Sequence, residues 1–367
     1  MNILHLSTVK TWGGGEQHIE NLCLELQKLG VRSKVLLTEN ARFEEKLSNA
    51  GIAYAVAPLR KNVDPRYIFK IITICKNESI DLLHLHDPNA ITLAIIASKL
   101  TKLPEFIFSK KTSYPIKNRQ QTLYKYNSSK IAKILCVSEE TKKISARRIK
   151  NQQKLVTIYH GCNVSRLQLN EMDLRKKLQL PSHIVIVGMI ANHIKAKDLS
   201  TFIRIIEEIV NKQKKTNFHF VQIGEFTEHT GRFQQEISER HLENHVSFLG
   251  YVPNASGLIP QFDISLLTSN SEGLPQFLYE SFYYKVPVLS TNVGGIPEII
   301  TNNENGFLSE AGDFQDLARK LVVLAEDSEL RRKFAENAHQ KLIHNFTSEQ
   351  MARQTLEEYK KIIDGKV

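Results

Sequence analysis

Short, nearly continuous apolar runs alternate with amphipathic stretches along this chain, and the whole alternation is run through twice. Residues 2–7, 33–37, 53–57, 81–86, 106–109, 134–137 and 155–158 read as strands. Helical patterns lie between most of them. In 16–29 the apolar residues Ile19, Leu22, Cys23, Leu26 and Leu29 recur at helical spacing, and 65–78 and 138–150 are similar. Strands that are apolar on both faces and separated by helices require a parallel sheet covered on both sides. After a polar stretch around 162–181 the pattern restarts. Strands are predicted at 184–190, 218–223, 246–249, 264–267 and 286–290, and helices at 198–212, 228–243, 275–284, 313–326 and 329–345. The expected architecture is α/β, with two doubly wound domains facing a cleft and a linker near 160–180.

A length of 367 residues suits two domains, and 41% hydrophobic with 24% charged residues is an ordinary globular composition. A membrane-spanning helix needs about 20 apolar residues. The longest mostly apolar run, 90–100, is shorter and includes Ser98 and Lys99. The first residues have no basic region before an apolar stretch, so a first strand is expected there and not a signal peptide. Cys23, Cys75, Cys136 and Cys162 form no C-x-x-C pair and no metal-ligand spacing, and they read as buried thiols of a cytoplasmic protein. Charge is uneven. Residues 1–170 hold 27 Lys and Arg against 13 Asp and Glu, a balance of +14; residues 171–367 hold 22 against 26, a balance of −4. An anionic partner for the first half fits this, whether nucleic acid, membrane surface or phosphorylated acceptor, and so does a solvated basic face. No nucleic-acid motif is present, so no nucleic-acid partner is expected.

Ligands of open parallel sheets bind beyond the carboxyl ends of the strands, so the loops there carry the candidate chemistry. Trp12-Gly13-Gly14-Gly15-Glu16 joins the first strand to the first helix. It can bring backbone amides up to an anion, or it can be a plain tight turn. In "HLHDP" His84 reads as a core histidine, while His86 reads as either core or functional. Lys110 and Lys111, in "SKKTSYP", can hold a phosphate or carboxylate, or be solvated. In "GMIANHIKAKD" Lys195 and Lys197 precede a helix start with Asp198 as N-cap, a favourable place for a diphosphate. The most informative segment is "SEGLPQFLYESFYYKVPVLSTNVGGIPEII". Here Glu272 sits in a Gly/Pro loop, Glu280 lies on the helix that follows, and Gly294, Gly295 and Pro297 make a second strand-to-helix turn alongside.

With these residues in view, the chain resembles glycosyltransferase family 4, retaining enzymes of the glycosyltransferase-B (GT-B) fold with two Rossmann-like domains. The resemblance covers nearly the whole chain, and Glu-x7-Glu is its most specific part. It implies that Glu272 contacts hydroxyls of the transferred sugar, Glu280 binds the ribose, Lys197 binds the diphosphate, and Gly13–Gly15 lie near donor phosphate and acceptor. "HLHD" and the linker "YHGCN" belong to the same likeness. Two departures stand out: Asn192 where many relatives carry arginine, with Lys195 as a replacement cation, and "SKKTSYP" where many carry a histidine. The implied catalytic residues are Glu272, Lys197 and His86. The implied donor contacts are Gly14, Gly15, Asn192, Lys195, Lys197 and Gly224, with Glu272, Gly273, Gln276, Phe277, Leu278 and Glu280. Glu16, Lys110 and Lys111 would face the acceptor.

The implied domains are 1–170 for the acceptor and 171–345 for the nucleotide sugar, with a C-terminal helix in 346–367 crossing back. The implied reaction moves a sugar, expected from a UDP-sugar, to a glycan or lipid-linked acceptor in lipopolysaccharide or other surface polysaccharide synthesis. The basic half would meet an anionic membrane at its cytoplasmic face. No D-x-D triplet occurs, so no metal and no cofactor is expected beyond the nucleotide sugar as substrate. An epimerase on the same fold and a non-catalytic nucleotide-sugar-binding partner of a synthase complex are the alternative readings.

Overall fold

The computed structural model describes residues 1–365. Residues 366–367, the end of the expected C-terminal helical segment, lie outside the described residues. The chain forms two compact units, one of Met1–Gly161 together with the segment from Thr347 onward, the other of Cys162–Phe346.

The first unit is built on a parallel sheet of β1 (Asn2–Leu6), β2 (Arg32–Thr38), β3 (Ala53–Ala57), β4 (Leu82–Leu85), β5 (Phe106–Lys110), β6 (Ile131–Cys136) and β7 (Leu155–Thr157). The spatial order is β3-β2-β1-β4-β5-β6-β7. Its helices are α1 (Gly14–Lys28), α2 (Phe43–Asn49), α3 (Pro65–Asn77), α4 (Pro88–Leu100), α5 (Gln120–Tyr126) and α6 (Glu139–Ala146). Side chains alternate across a strand, so each strand feeds two cores. Leu4, Leu6, Leu83, Leu85, Phe106 and Phe108 pack with Ile71 of α3 and Ala90, Leu93 and Ala94 of α4. Their neighbours Ile3, Leu82, Ile107 and Leu135 point to the opposite face and meet Leu22 and Leu26 of α1. The apolar run 90–100 is therefore mostly α4. Pro88 at its first turn and Asp87 as N-cap start it cleanly.

In the second unit a short α7 (Leu174–Lys177) precedes β8 (Val185–Ile190), α8 (Leu199–Glu207), β9 (Phe218–Ile223), α9 (Thr230–Glu239), β10 (Val246–Phe248) and β11 (Ile264–Leu267). Then follow α10 (Gln276–Tyr283), β12 (Val288–Thr291), α11 (Ile296–Ile299), β13 (Phe307–Ser309), α12 (Phe314–Glu326) and α13 (Ser328–Asn345). The strand order β10-β9-β8-β11-β12-β13 repeats the winding of the first unit. α8 runs on into a π-helical turn at Glu208–Lys212, and the Arg204 guanidinium lies 3.9 Å over the Phe314 ring of α12. The last helix, α14 (Ser348–Ile363), is started by a capping box between Thr347 and Gln350. It packs against α1, placing Met351 and Tyr359 in the core beside Ile3 and Leu82.

The unit boundary at Gly161/Cys162 corrects the expected one at 170/171. The polar segment read as linker is tied down by its amides. Asn170 Nδ2 donates to the carbonyls of Pro253 (2.9 Å) and Asn254 (3.0 Å), and Asn254 Nδ2 donates to those of Gln168 and Leu169. Phe346 likewise belongs with the second unit, its ring 5.4 Å from that of Tyr279. Strand β13 (Phe307–Ser309) was not expected.

At Gly161 the backbone of α14's start comes so close that a Cβ would lie 2.4 Å from Ser348 Cα and from the Thr347 carbonyl oxygen. Backbone cannot step aside as a side-chain tip can. Gly161→Ala is expected to cost roughly 1–3 kcal/mol, read as a lower urea midpoint; an unchanged midpoint would show that the start of α14 adjusts freely.

Candidate active site

A sheet wound in the order 3-2-1-4 opens a crevice between strands 1 and 4, where the chains leave in opposite directions. Each unit has one such place. A concavity of about 600 Å³ in the first unit lies at the other end of the sheet, lined by Ile3, Cys23, Arg32, Lys34 and Glu78, where the strands begin. The sequence motifs gather instead at the carboxyl ends.

In the second unit the crevice lies between β8 and β11. The Thr268 hydroxyl, just past β11, bonds the carbonyls of Lys197 (3.0 Å) and Asp198 (3.1 Å), and the Asn270 amide donates to Ala196 O (2.8 Å). Asp198 adopts a left-handed conformation (φ 46°) and caps α8 through the Thr201 amide and hydroxyl. These contacts lock the two loops side by side. Lys197 Nζ then meets Glu272 Oε1 at 2.6 Å, and the Ser269 hydroxyl donates to the same oxygen at 2.6 Å. Both side chains of the ion pair are largely enclosed, 20% exposed for Lys197 and 10% for Glu272.

Next to the pair, α10 starts after Pro275 without a side-chain cap, and Gln276, Phe277, Leu278 and Glu280 are buried on it. The Gly295 amide donates to Gly273 O (3.0 Å) and the Thr291 hydroxyl to Ser269 O (2.6 Å), joining the loop after β12 to the site. Burial first, and the Glu280 charge second, push the Cys162 thiol up. Asn192 Oδ1 accepts from the Glu225 amide at 2.9 Å. At Gly224 a Cβ would fall 2.0 Å from Ala191 O, so only glycine lets these loops close. Asn192 is thus a loop tie where a cation was missing. Lys195 is exposed on the turn. Sequence reasoning missed Thr268, Ser269 and His193, although all three follow strand ends. His193 is buried, its Nε2 2.6 Å from Gln222 Oε1 and its Nδ1 2.9 Å from Thr230 Oγ1.

In the first unit the crevice lies between β1 and β4, and its clamp is Asp87. That carboxylate accepts from the Thr8 amide and hydroxyl, both at 2.7 Å, and from the Asn89 and Ala90 amides, both at 2.9 Å. α1 starts at Gly14 behind Gly13, which offers no side-chain cap. Lys111 Nζ donates to Gly15 O at 3.0 Å. Burial lowers the Lys111 pKa, while the charges of Glu16 and Asp87 raise it. Burial also raises the Glu16 carboxyl, against Lys111. A helix start and a lysine beside it form a corner suited to an anion. Lys110 does otherwise. Its ammonium donates to Thr112 O, Thr112 Oγ1 (3.1 Å) and Tyr114 O (3.0 Å), and burial pushes its pKa down to about 8. Its three donors are used on its own loop, so Lys110 shapes that loop.

His86 lies in a layer of buried histidines. His5 on β1 is in register with His84 on β4, and His86 follows two residues on, so the three rings share one face. His5 Nδ1 lies 3.0 Å from His86 Nε2, and His5 Nε2 3.3 Å from Ser33 Oγ. His84 pairs with the Tyr359 hydroxyl (2.6 Å) and Ser109 Oγ (2.7 Å). Ring nitrogens of the three come within 4.8 Å of one another, a spacing imidazoles use for a cation. Apart from His86 Nδ1, however, every ring nitrogen of the trio already has a hydrogen-bond partner here. His86 is buried, with the His18 ring 6.2 Å away.

The two-unit architecture is that of the GT-B glycosyltransferases. The crystal structure of Anabaena HepE in complex with UDP and glucose superposes with a TM-score of 0.86 at 20% identity, covering 98% of this chain and 100% of that one. Residues 12–166 match the family model "Glycosyltransferase Family 4" and residues 170–341 match "Glycosyl transferases group 1". The chain belongs to glycosyltransferase family 4 and is a glycosyltransferase. It is similar to the N-acetyl-alpha-D-glucosaminyl L-malate synthase of Bacillus anthracis, 26% identical over 78% of this chain and 76% of that protein. It is also similar to the UDP-Gal:alpha-D-GlcNAc-diphosphoundecaprenol alpha-1,3-galactosyltransferase of Escherichia coli, 20% identical over 85% and 84%.

The histidine layer has a measurable consequence. Burial lowers the pKa of His5 to about 3 and those of His18, His84 and His86 well below the ordinary value. These rings stay neutral when folded but take protons when unfolded below about pH 6.5, so their contribution is present above that pH and lost as pH falls towards the folded values. Each can cost about 1.4 kcal/mol per pH unit. Burial lowers His193 and His219 as well, and Glu16, with its raised pKa, acts in the opposite sense, one group against six. The urea midpoint is expected to fall steeply from pH 6.5 to 5, above the main carboxylate range; a flat midpoint there would mean the rings are accessible to protons in the native state.

Proposed function

We propose that this glycosyltransferase moves a sugar from a UDP-sugar to a glycan or lipid-linked acceptor, in lipopolysaccharide or other cell-surface polysaccharide synthesis, with retention of configuration. One observation carries the reading: Lys197 and Glu272 meet at the β8/β11 crevice, beside the uncapped start of α10. The leaving group of a nucleotide sugar is a diphosphate. A lysine and the positive end of a helix answer its developing charge, and preorganised groups of this kind act most strongly where water is scarce. Glu272, in the loop before α10, suits the hydroxyls of the sugar, and Glu280, four residues into the helix, suits the ribose. With a lysine in that place and no D-x-D triplet in the chain, we take the chemistry to need no metal. The UDP assignment draws support from the relatives: HepE is described with UDP and glucose, and the Escherichia coli protein is named for UDP-Gal and a diphosphoundecaprenol acceptor.

The basic half is proposed to rest on an anionic membrane at its cytoplasmic face. Among the described residues no helix is long and apolar enough to cross a membrane. The layer of α3, α4 and α5 exposes Phe69, Leu100 and Tyr124 among Lys70, Lys99 and Lys102, and the Lys99 ammonium lies 5.3 Å over the Tyr124 ring. Large apolar side chains interleaved with lysines suit the headgroup region of a bilayer.

Lys197→Ala is expected to lower turnover by about 100-fold or more, and turnover by the parent enzyme should survive EDTA. In a thermal-shift screen of UDP, GDP, ADP and their sugar conjugates, uridine compounds should stabilise the protein and Glu280→Ala should abolish the shift. Near-parental turnover in Lys197→Ala removes that lysine from the site. Flotation with phosphatidylglycerol vesicles should fade with salt and weaken in Phe69→Ser/Leu100→Ser; no flotation at low salt ends the membrane reading.

A further inference from the structure

We infer that Glu272 sets the preference of the site for an intact nucleotide sugar over the nucleoside diphosphate left by the reaction, through its ion pair with Lys197. The inference rests on the donor-site reading above and adds a role that a sugar-hydroxyl contact alone does not contain.

The ion pair is imposed by the frame around it. Thr268 holds the carbonyls of Lys197 and Asp198, and Asn270 holds that of Ala196, so the backbones flanking both charged side chains are bonded to each other. The charged side chains themselves lie outside that backbone tie. At rest the ammonium is 2.6 Å from Glu272 Oε1, in a place where each partner is largely shielded from water. Enclosed charges interact far more strongly than surface ones, and taking the partner from one of them costs more than the pair itself contributes.

A diphosphate that recruits Lys197 must draw the ammonium off Glu272 or share it. The carboxylate then loses its cation and faces a new anion nearby. An intact donor offers compensation, because its sugar hydroxyls donate to the carboxylate as the lysine leaves. A nucleoside diphosphate has no sugar at that position and offers none. Glu272 therefore works against the product and not against the donor, which favours product release once the glycosyl bond is broken. A residue that merely contacts the sugar would weaken the conjugates when removed and leave the free nucleotide unchanged. Glu272 should weaken some and strengthen another.

The experiment is calorimetric titration of the parent protein and of Glu272→Gln, Glu272→Asp and Lys197→Ala. The probes are whichever of UDP, GDP or ADP stabilises the parent, and the glucose and N-acetylglucosamine conjugates of that nucleotide. Glu272→Gln keeps the shape and removes the charge, and it should bind the free nucleotide about tenfold more tightly while binding the conjugates no better than the parent. Glu272→Asp keeps the charge and should stay near the parent. Lys197→Ala should lose affinity for all probes. If Lys197→Ala weakens binding but Glu272→Gln binds the free nucleotide no tighter, the inference is overturned and the donor site stands. Equal tightening in Glu272→Asp and Glu272→Gln overturns it as well, since space and not charge would be the cause. If no nucleotide binds the parent, the donor-site reading falls and the inference with it.

Discussion

The hydroxyl of Thr268, bonded to the carbonyls of Lys197 and Asp198, joins the loop after β11 to the loop after β8. The two strands are neighbours, but the chains leaving them turn to opposite sides of the sheet. Something must hold those loops together if they are to build one site. Thr268 does so from one side, and Asn270 and the left-handed cap at Asp198 complete the tie. Lys197 and Glu272 meet because this frame leaves their side chains little choice.

The first unit solves the same problem with a carboxylate. Asp87 binds the Thr8 amide and hydroxyl across the crevice while it caps α4. Both crevices therefore have a polar clamp that bonds backbone across the switch point. What the clamps hold differs. The second unit presents an enclosed ion pair, and the first presents the start of α1 with Lys111 drawn onto Gly15. Beneath the latter lies the histidine layer, which spans β1 and β4 and reaches α14 through Tyr359. Burial keeps those rings neutral, so this core is built from polar groups without carrying charge.

Much of this was legible in the chain. Continuous apolar runs such as 184–190 hold β8, and the helical spacing in 16–29 is most of α1, because strand and helix periods are local properties. Asp198 was readable as a cap, because a short polar side chain just before an apolar helical run suits an N-terminus. Less was visible where a residue's partner lies far along the chain. Lys110 and Lys111 are adjacent and chemically identical, yet one closes its own loop and the other reaches Gly15. His84 and His86 looked like a strand-end motif until His5, Ser109 and Tyr359 arrived from other elements. The segment around 160–180 looked like a linker because it is polar, and the bonds of its Asn170 to Pro253 and Asn254 could not be foreseen from it.

By itself, then, the sequence determined the parallel α/β class, the double run of strands and helices, and the loops where chemistry would gather. Each of these follows from the order of apolar and polar residues over a few turns of chain. Tertiary structure alone decided which charges are paired and which are spent on scaffolding. It closed Glu272 onto Lys197 across 75 residues of sequence and buried His86 against His5 across 81. The physical reason is reach. Periodicity acts between near neighbours, whereas hydrogen bonds and ion pairs depend on distances that exist only after the sheets have wound.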